Sequence, residues 1–327
     1  MGEILTPFII AALLAYLGDP LVNKLEKMHL KRTLSAILIF SLMLLILLGL
    51  GLLIIPLLQV QIQILIEKIP DMVIWIQQTV MPWLSTHFDI KINFDPVEIK
   101  KILITHWQQA GNVLDKVVLT LTHSTKTVLK VLINFILVPV VTFYLLRDWP
   151  MLLTRLQNLV PRVYIEPVTT ISSQCNEVVG AFFRGQFLVM LILGLYYTIG
   201  LSIMGLDLAV LIGVIISILS IVPLLGTIIG LFLGIITTVF QFHDVKHVIY
   251  LLIIFGIGHV LENMILTPLL IGNRVGLHPV AVILAVLIAG TYFGFLGILL
   301  AIPIAAVLLV LLKVLYRQYI NSQFYQK

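Results

Sequence analysis

The sequence predicts an all-α polytopic membrane protein with about seven to nine membrane segments, two of them broken or hairpin-like, plus an amphipathic helical extracytoplasmic segment. Three observations carry that reading. Of 327 residues, 60% are hydrophobic and 11% charged, with a mean hydropathy of +1.14, whereas globular proteins average roughly 45–50% apolar and about 25% charged. The apolar residues gather into long runs, at 33–58, 128–146, 182–204, 208–240, 248–271 and 279–312, after a shorter one at 4–17. Between 59 and 127 the pattern changes, with six Lys, six Asp or Glu and an apolar stripe at helical spacing. The excess apolar surface must face lipid. The net charge of +5 then belongs to basic cytoplasmic loops, and no nucleic-acid partner is expected. The single cysteine, Cys175, permits no intrachain disulfide and fits no paired-cysteine metal pattern.

The run at 4–17 is 14 residues long, short of the roughly 20 a spanning helix needs. No basic region precedes it and no small-residue cleavage site follows, because Gly18, Asp19 and Pro20 lead directly into Leu21 and Val22. It reads as a retained helix rather than a signal peptide. Gly2 and Thr6 match an acylation pattern too short to carry weight. At the other extreme, the runs at 208–240 and 279–312 hold 33 and 34 residues, too many for one perpendicular pass. Each contains its own breakers: Pro223, Gly226, Gly230 and Gly234 in the first, Gly290, Gly294, Gly297 and Pro303 in the second. Small residues at this spacing let helix backbones approach closely, so both runs are expected to form packed hairpins or broken helices.

Basic residues orient the chain. Lys24, Lys27, Lys31 and Arg32, and then Arg147, Arg155 and Arg162, place residues 18–32 and 147–181 in the cytoplasm. Residues 59–127 then lie outside, and counting each long run as a hairpin returns Lys313, Arg317 and Lys327 to the cytoplasm. The chain divides into N-terminal membrane helices (1–58), an extracytoplasmic amphipathic segment (59–127), a membrane helix with a cytoplasmic amphipathic segment (128–181) and a C-terminal membrane bundle (182–327). In the outer segment Ile62, Leu65, Ile66, Ile69, Val73, Ile76 and Val80 form one apolar stripe. Asp95, Pro96 and Glu98 mark the start of a second helix. The stripes can pack on a membrane surface, on the rest of the subunit or on another subunit, and the last option leads to an expected homo-oligomer.

An ionised side chain inside lipid costs a few kcal/mol or more, so an intramembrane charge is a functional hypothesis by default. Glu262 is the clearest case, flanked by Leu261 and Ile265, with Asn263 beside it and His259 three residues earlier, a spacing that places carboxylate and imidazole on one helical face. The structural alternative is a polar cluster that ties down backbone freed by Pro268. Function is favoured for Glu262, the two readings balance for Asn263, and packing is favoured for His259. His259 to Glu262 begin the inverted zinc motif H-x-x-E-H, but Asn263 stands where the second histidine belongs, so no metal is expected. No Walker loop, G-x-S-x-G elbow or paired CxxC occurs, so neither ATP-driven transport nor serine or thiol catalysis has a sequence basis, and neither an enzyme nor a cofactor is expected. Arg184, Gly185 and Gln186 sit at the mouth of the 182–204 span. Arg184 reads first as snorkelling to headgroups, and otherwise as meeting Glu177 or an anionic solute, while Gly185 and Gln186 read as a close helix contact and an interhelical hydrogen bond.

Several of these pieces occur in an order that resembles the autoinducer-2 exporter family, the PerM-like permeases. Pro7, Phe8, Ala15 and Tyr16 followed by Asp19, Pro20, Leu21 and Val22 resemble its early helix and exit. Arg184-Gly185-Gln186 matches its Arg-Gly-Gln, and Ile221, Val222, Pro223 and Gly226 resemble its Ile-Pro-x-x-Gly break. Glu262, Asn263, Thr267, Pro268, Gly272, Gly276, Leu277, His278 and Pro279 match its most distinctive stretch, and Gly294, Gly297 and Pro303 complete the series.

The resemblance places the start of this chain in the family's second helix, with an initial helix expected to be missing. It implies a multi-pass protein of the bacterial inner membrane, homo-oligomeric with a pentamer as the suggested state. Such a protein moves small solutes, by export of an autoinducer-2-like signal or by sodium or lithium exchange for protons. A membrane scaffold that transports nothing and recruits partner proteins is the rival class. Broken helices expose half-helix ends that suit solute and ion sites, which places the expected pathway within 182–313. Its expected residues are Glu262, Asn263, His259, Pro223, Gly226, Gly294, Gly297 and Pro303, with Arg184, Gly185, Gln186, Pro268 and Gly272 as gate or packing.

Overall fold

Inside a bilayer each backbone N–H and C=O must be satisfied within its own segment or by a packed neighbour, so apolar runs of this length become helices. The computed structural model describes residues 2–75, 78, 125–222, 225–271, 276–323 and 325. Every element in them is helical. α1 (Gly2–Lys27) and α2 (Arg32–Trp75) are joined by a tight turn in which His29 takes a φ of 68°. α3 (Thr125–Asn158) passes through a single 3-10 turn, Arg162–Tyr164, into α4 (Ile165–Met204). α5 (Ala209–Leu219), α6 (Leu225–Phe242), α7 (Val245–Val260), a π-helical segment at Leu261–Ile271 and α8 (Pro279–Ile320) follow. Among the described residues, seven helices are long and apolar enough to cross a membrane, and α5 and Val280–Gly294 are shorter apolar helices. The chain is an all-α multi-pass membrane protein, as expected.

Both overlong runs are broken. The first divides between α5 and α6 at Ser220, where the side-chain amide of Gln186 on α4 donates to the Ser220 carbonyl and the Ser220 hydroxyl donates to the Ile216 carbonyl at 2.7 Å. Its two ends come back together: the Gln241 amide donates to the Gly205 carbonyl at 2.8 Å, and the Asp207 N–H donates to Gln241 Oε1 at 3.0 Å. α5 and α6 thus form a hairpin. The second run doubles back at Gly294, whose φ of 61° is one that favours glycine. A Cβ on Gly297 would fall 1.9 Å from the Ala289 carbonyl oxygen, so the two arms of α8 meet backbone to backbone. Pro223, Gly272, Ile76, Val80 and the helix expected at Pro96 lie outside the described residues.

The divisions expected near 58 and 181 are not breaks. α2 runs on through 44 residues, ~66 Å of helix against a bilayer core of about 30 Å, and α4 is likewise continuous over 40 residues. The described part of the stripe on α2 packs within the subunit. Ile69 is buried, Ile64 and Leu65 lie against the larger core, Lys68 pairs with Asp207, and Gln61 Oε1 accepts from the Leu211 N–H at 3.3 Å.

Two separate cores result. A smaller one around Val22, Ala36 and Leu146 joins α1, α2 and α3. A larger one, around Leu193, Tyr197, Ile212, Leu251, Phe255 and Leu266, joins α4 to α5, α7 and the π segment. In lipid the helices gain little from hiding apolar surface and depend instead on close van der Waals packing. Gly213 accordingly lies against the Thr198 backbone, and Gly226 against the Ile216 carbonyl and the Ser220 N–H.

Candidate functional site

Among the described residues a buried carboxylate lies beside the larger core. Glu262 is 5% exposed, and its Oε2 accepts a hydrogen bond from Thr227 Oγ1 on α6 at 2.9 Å. The Tyr197 side chain on α4 is fully buried, and its hydroxyl faces the Thr227 hydroxyl and the Glu262 carboxylate. Gly258 makes room for that hydroxyl, since a Cβ there would come within 2.4 Å of Tyr197 Oη. The phenol ring lies against Phe255 with centroids 4.7 Å apart. Carboxylate, hydroxyl and phenol thus come from three helices that small residues hold close.

Two expected neighbours are elsewhere. Asn263 and His259 are exposed and pair with each other, Asn263 Nδ2 reaching the His259 carbonyl at 3.0 Å and His259 Nδ1 at 3.1 Å. The face shared by His259 and Glu262, read from i,i+3 spacing in an α-helix, does not exist. From Leu261 onward the chain winds as a π-helix, with Pro268 inside it, and Glu262 is buried while His259 and Asn263 are exposed. Pro268 is itself exposed.

The other expected residues separate by element. Gly226 borders the site, one residue before Thr227, with its backbone against α5. Gly294, Gly297 and Pro303 belong to α8, which packs mainly on α4 rather than on the π segment. Pro303 is buried there. Gly185 and Gln186 are buried, and Gln186 makes the expected interhelical hydrogen bond, to Ser220. Sequence reasoning missed Thr227 and Tyr197. The available signals were a hydroxyl directly after the Gly226 break and a tyrosine in the middle of an apolar span.

A second polar region lies at the other end of α4. Arg32 donates to Asp19 Oδ1 at 2.5 Å, to Glu26 Oε2 at 3.2 Å and to the Leu146 carbonyl at 2.8 Å, and also to Asn23. This one guanidinium fastens α1, α2 and α3. Beside it a cavity of about 860 Å³ opens between α1, α3 and α4, with Tyr16, Asp19, Trp149, Asn176 and Arg184 among its walls.

Comparison with known proteins agrees with this architecture. Residues 1–317 match the family described as AI-2E family transporter. YueF of Bacillus subtilis, named as a candidate transport protein, is 31% identical over 306 residues, which is 92% of this chain and 81% of YueF. YrrI of the same organism, named in the same way, is 27% identical over 310 residues, covering 94% of this chain and 86% of YrrI. The candidate permease PerM of Escherichia coli K12 is 26% identical over 194 residues, or 59% of this chain and 55% of PerM.

Proposed function

The chain belongs to the AI-2E transporter family, and from that premise we propose that it is a secondary transporter of a small solute in the bacterial inner membrane, with Glu262 as its coupling residue. The observation that supports this reading is the isolation of the Glu262 carboxylate. It is buried among apolar helices, it accepts from the neutral Thr227 hydroxyl, and among the described residues no ion pair engages it. A carboxylate costs a few kcal/mol or more in that setting. A cation or proton taken up during the transport cycle offsets the cost, with the Thr227 and Tyr197 oxygens beside it as further ligands. This favours exchange of sodium or lithium for protons over export of an uncharged autoinducer-2-like signal. The basic residues Lys24, Lys27, Lys31 and Arg32 put the α1–α2 turn in the cytoplasm, and the hairpin parity returns the end of α8 to the same side. A homo-oligomer remains part of the proposal on the strength of the family resemblance.

The test is flux in proteoliposomes carrying a pH-sensitive dye. The wild type collapses a preset pH gradient on addition of sodium or lithium. Glu262→Gln preserves shape and hydrogen bonding but removes the charge, so exchange should fall by at least about tenfold while expression and thermal stability persist. Normal exchange by a well-folded Glu262→Gln protein, over the pH range in which the wild type works, overturns the coupling role. Solute export without ion exchange points to the signal-exporter reading. No flux of either kind in the wild type points to a scaffold.

A further inference from the structure

The cavity between α1, α3 and α4 plays no part in the Glu262 mechanism, yet its chemistry is specific. Two of its lining residues are charged. Asp19 is already neutralised, with Oδ1 accepting from Arg32 at 2.5 Å and Oδ2 from the Asn23 amide at 2.8 Å. Arg184 is exposed to the cavity, and among the described residues no ion pair engages it. Its guanidinium and the Tyr16 hydroxyl both lie within 3.0 Å of the point where a Cβ on Gly180 would sit, so glycine leaves the space they occupy.

The hydrogen bonds of the wall define what it can offer. Tyr16 spends its proton on Asn176, at 2.8 Å from the carbonyl and 2.7 Å from Oδ1, which leaves the Asn176 side-chain N–H groups as donors. Thr169 spends its hydroxyl on the Ile165 carbonyl, whereas among the described residues Ser172 and Ser173 make no such bond. Beside the apolar surface of Trp149 and Leu153 the wall therefore presents the Arg184 cation, the amides of Asn176 and Gln157 and the hydroxyls of Ser172 and Ser173. A volume of about 860 Å³ lies within the range of small-molecule pockets.

We propose that this cavity is a binding site for a small phosphorylated polyol of the glycerol phosphate type. The phosphate is held by Arg184, the hydroxyls by Ser172, Ser173 and Asn176, and the carbon skeleton lies on Trp149. Guanidinium and phosphate form the strong charge-assisted pair that justifies a lone arginine there. The same group is available as free glycerol 3-phosphate or as the headgroup of phosphatidylglycerol. The proposal does not depend on what Glu262 carries.

Binding to the full chain in phosphatidylcholine nanodiscs decides the matter. Glycerol 3-phosphate is titrated by calorimetry and by the emission of Trp149, isolated by comparison with Trp149→Phe. Glycerol serves as the uncharged control. In parallel, native mass spectrometry measures phosphatidylglycerol retained from mixed nanodiscs. Glycerol 3-phosphate should bind, glycerol should not, Arg184→Gln should weaken binding by about tenfold or more, and Arg184→Lys should retain part of it. Gly180→Ala, which keeps the charge but sets a methyl 2.8 Å from the Arg184 guanidinium, should weaken binding too and stands in if Arg184→Gln does not fold. Retention of phosphatidylglycerol alone, lost in these variants, assigns the same chemistry to the lipid. The proposal is overturned if neither probe binds, if glycerol competes as well as its phosphate, or if binding is unchanged in Arg184→Gln and Gly180→Ala.

Discussion

Asp19 and Glu262 are both carboxylates on membrane helices, and they are treated in opposite ways. Asp19, in the N-terminal bundle, has both oxygens occupied, one by the Arg32 guanidinium and one by Asn23, and its partner also reaches Glu26 and the Leu146 carbonyl. Glu262, in the C-terminal bundle, is more deeply buried and has a neutral hydroxyl for company. In the first bundle the charge holds three helices together. In the second, packing of small residues holds the helices, and the charge is left free to do something else.

This contrast makes the two bundles fail differently. A larger loss of stability than either carboxylate substitution causes should follow Gly226→Ala, because the new methyl would lie 2.6 Å from the Ile216 carbonyl and 2.8 Å from the Ser220 N, both backbone atoms that cannot rotate away. Overpacking of this kind typically costs 1–3 kcal/mol, and about 3 kcal/mol is expected here, read as a lower Tm in detergent with flux lost in parallel. Asp19→Asn should cost less, about 2 kcal/mol, since it leaves the Arg32 guanidinium with only the more exposed Glu26 as counter-ion. Flux per folded molecule should survive that change. Glu262→Gln should shift Tm far less than Asp19→Asn; a larger shift would make Glu262 a structural residue like Asp19 and erase the comparison.

The smallest effect belongs to Asp244, at the turn between α6 and α7. Its carboxylate accepts from the His247 N–H at 3.0 Å and from the His247 ring at 2.7 Å, and these bonds hold its pKa below the usual carboxylate range. A depressed folded-state pKa means that the cap contributes fully above the unfolded value of about 3.9 and is lost as pH falls through the lower folded value. Protection factors for the amides of the first turn of α7, which are corrected for the intrinsic pH dependence of exchange, should therefore hold above the ordinary carboxylate range and fall as the pH drops below about 3.9. Asp244→Ala should remove that pH dependence and leave a small deficit in Tm at neutral pH.

Hydropathy made the membrane helices legible because, in lipid, the backbone has few alternatives to helix, and glycine and proline marked both broken runs. Glu262 stood out because a charge in an apolar run is rare. Its true neighbours did not stand out. Thr227 and Tyr197 are hydroxyl residues that apolar helices tolerate, and only tertiary packing brings α6 and α4 to the carboxylate. His259 was misplaced because i,i+3 spacing presumes α-helical winding. Pro268 has no N–H to give and clashes with the carbonyl four residues back, and the segment around it winds wider instead. The divisions near 58 and 181 were drawn where polarity changes, but the backbone of α2 and α4 passes through both without interruption.

The hairpin of α5 and α6 also has a consequence for how the protein is made. With 11 residues, ~16 Å of rise, α5 is too short to leave the translocon as a membrane span in its own right. Until α6 has been synthesised, which takes on the order of seconds at 5–20 residues per second, the carbonyls at the end of α5 have no successor helix to lie against. Gln186 was synthesised 34 residues earlier and already waits on α4 to bond the Ser220 carbonyl. The nascent chain thus carries the partner for the Ser220 carbonyl before that turn exists, and replacing Gln186 should show first as retarded insertion and proteolysis of newly made protein rather than as a defect in the mature transporter.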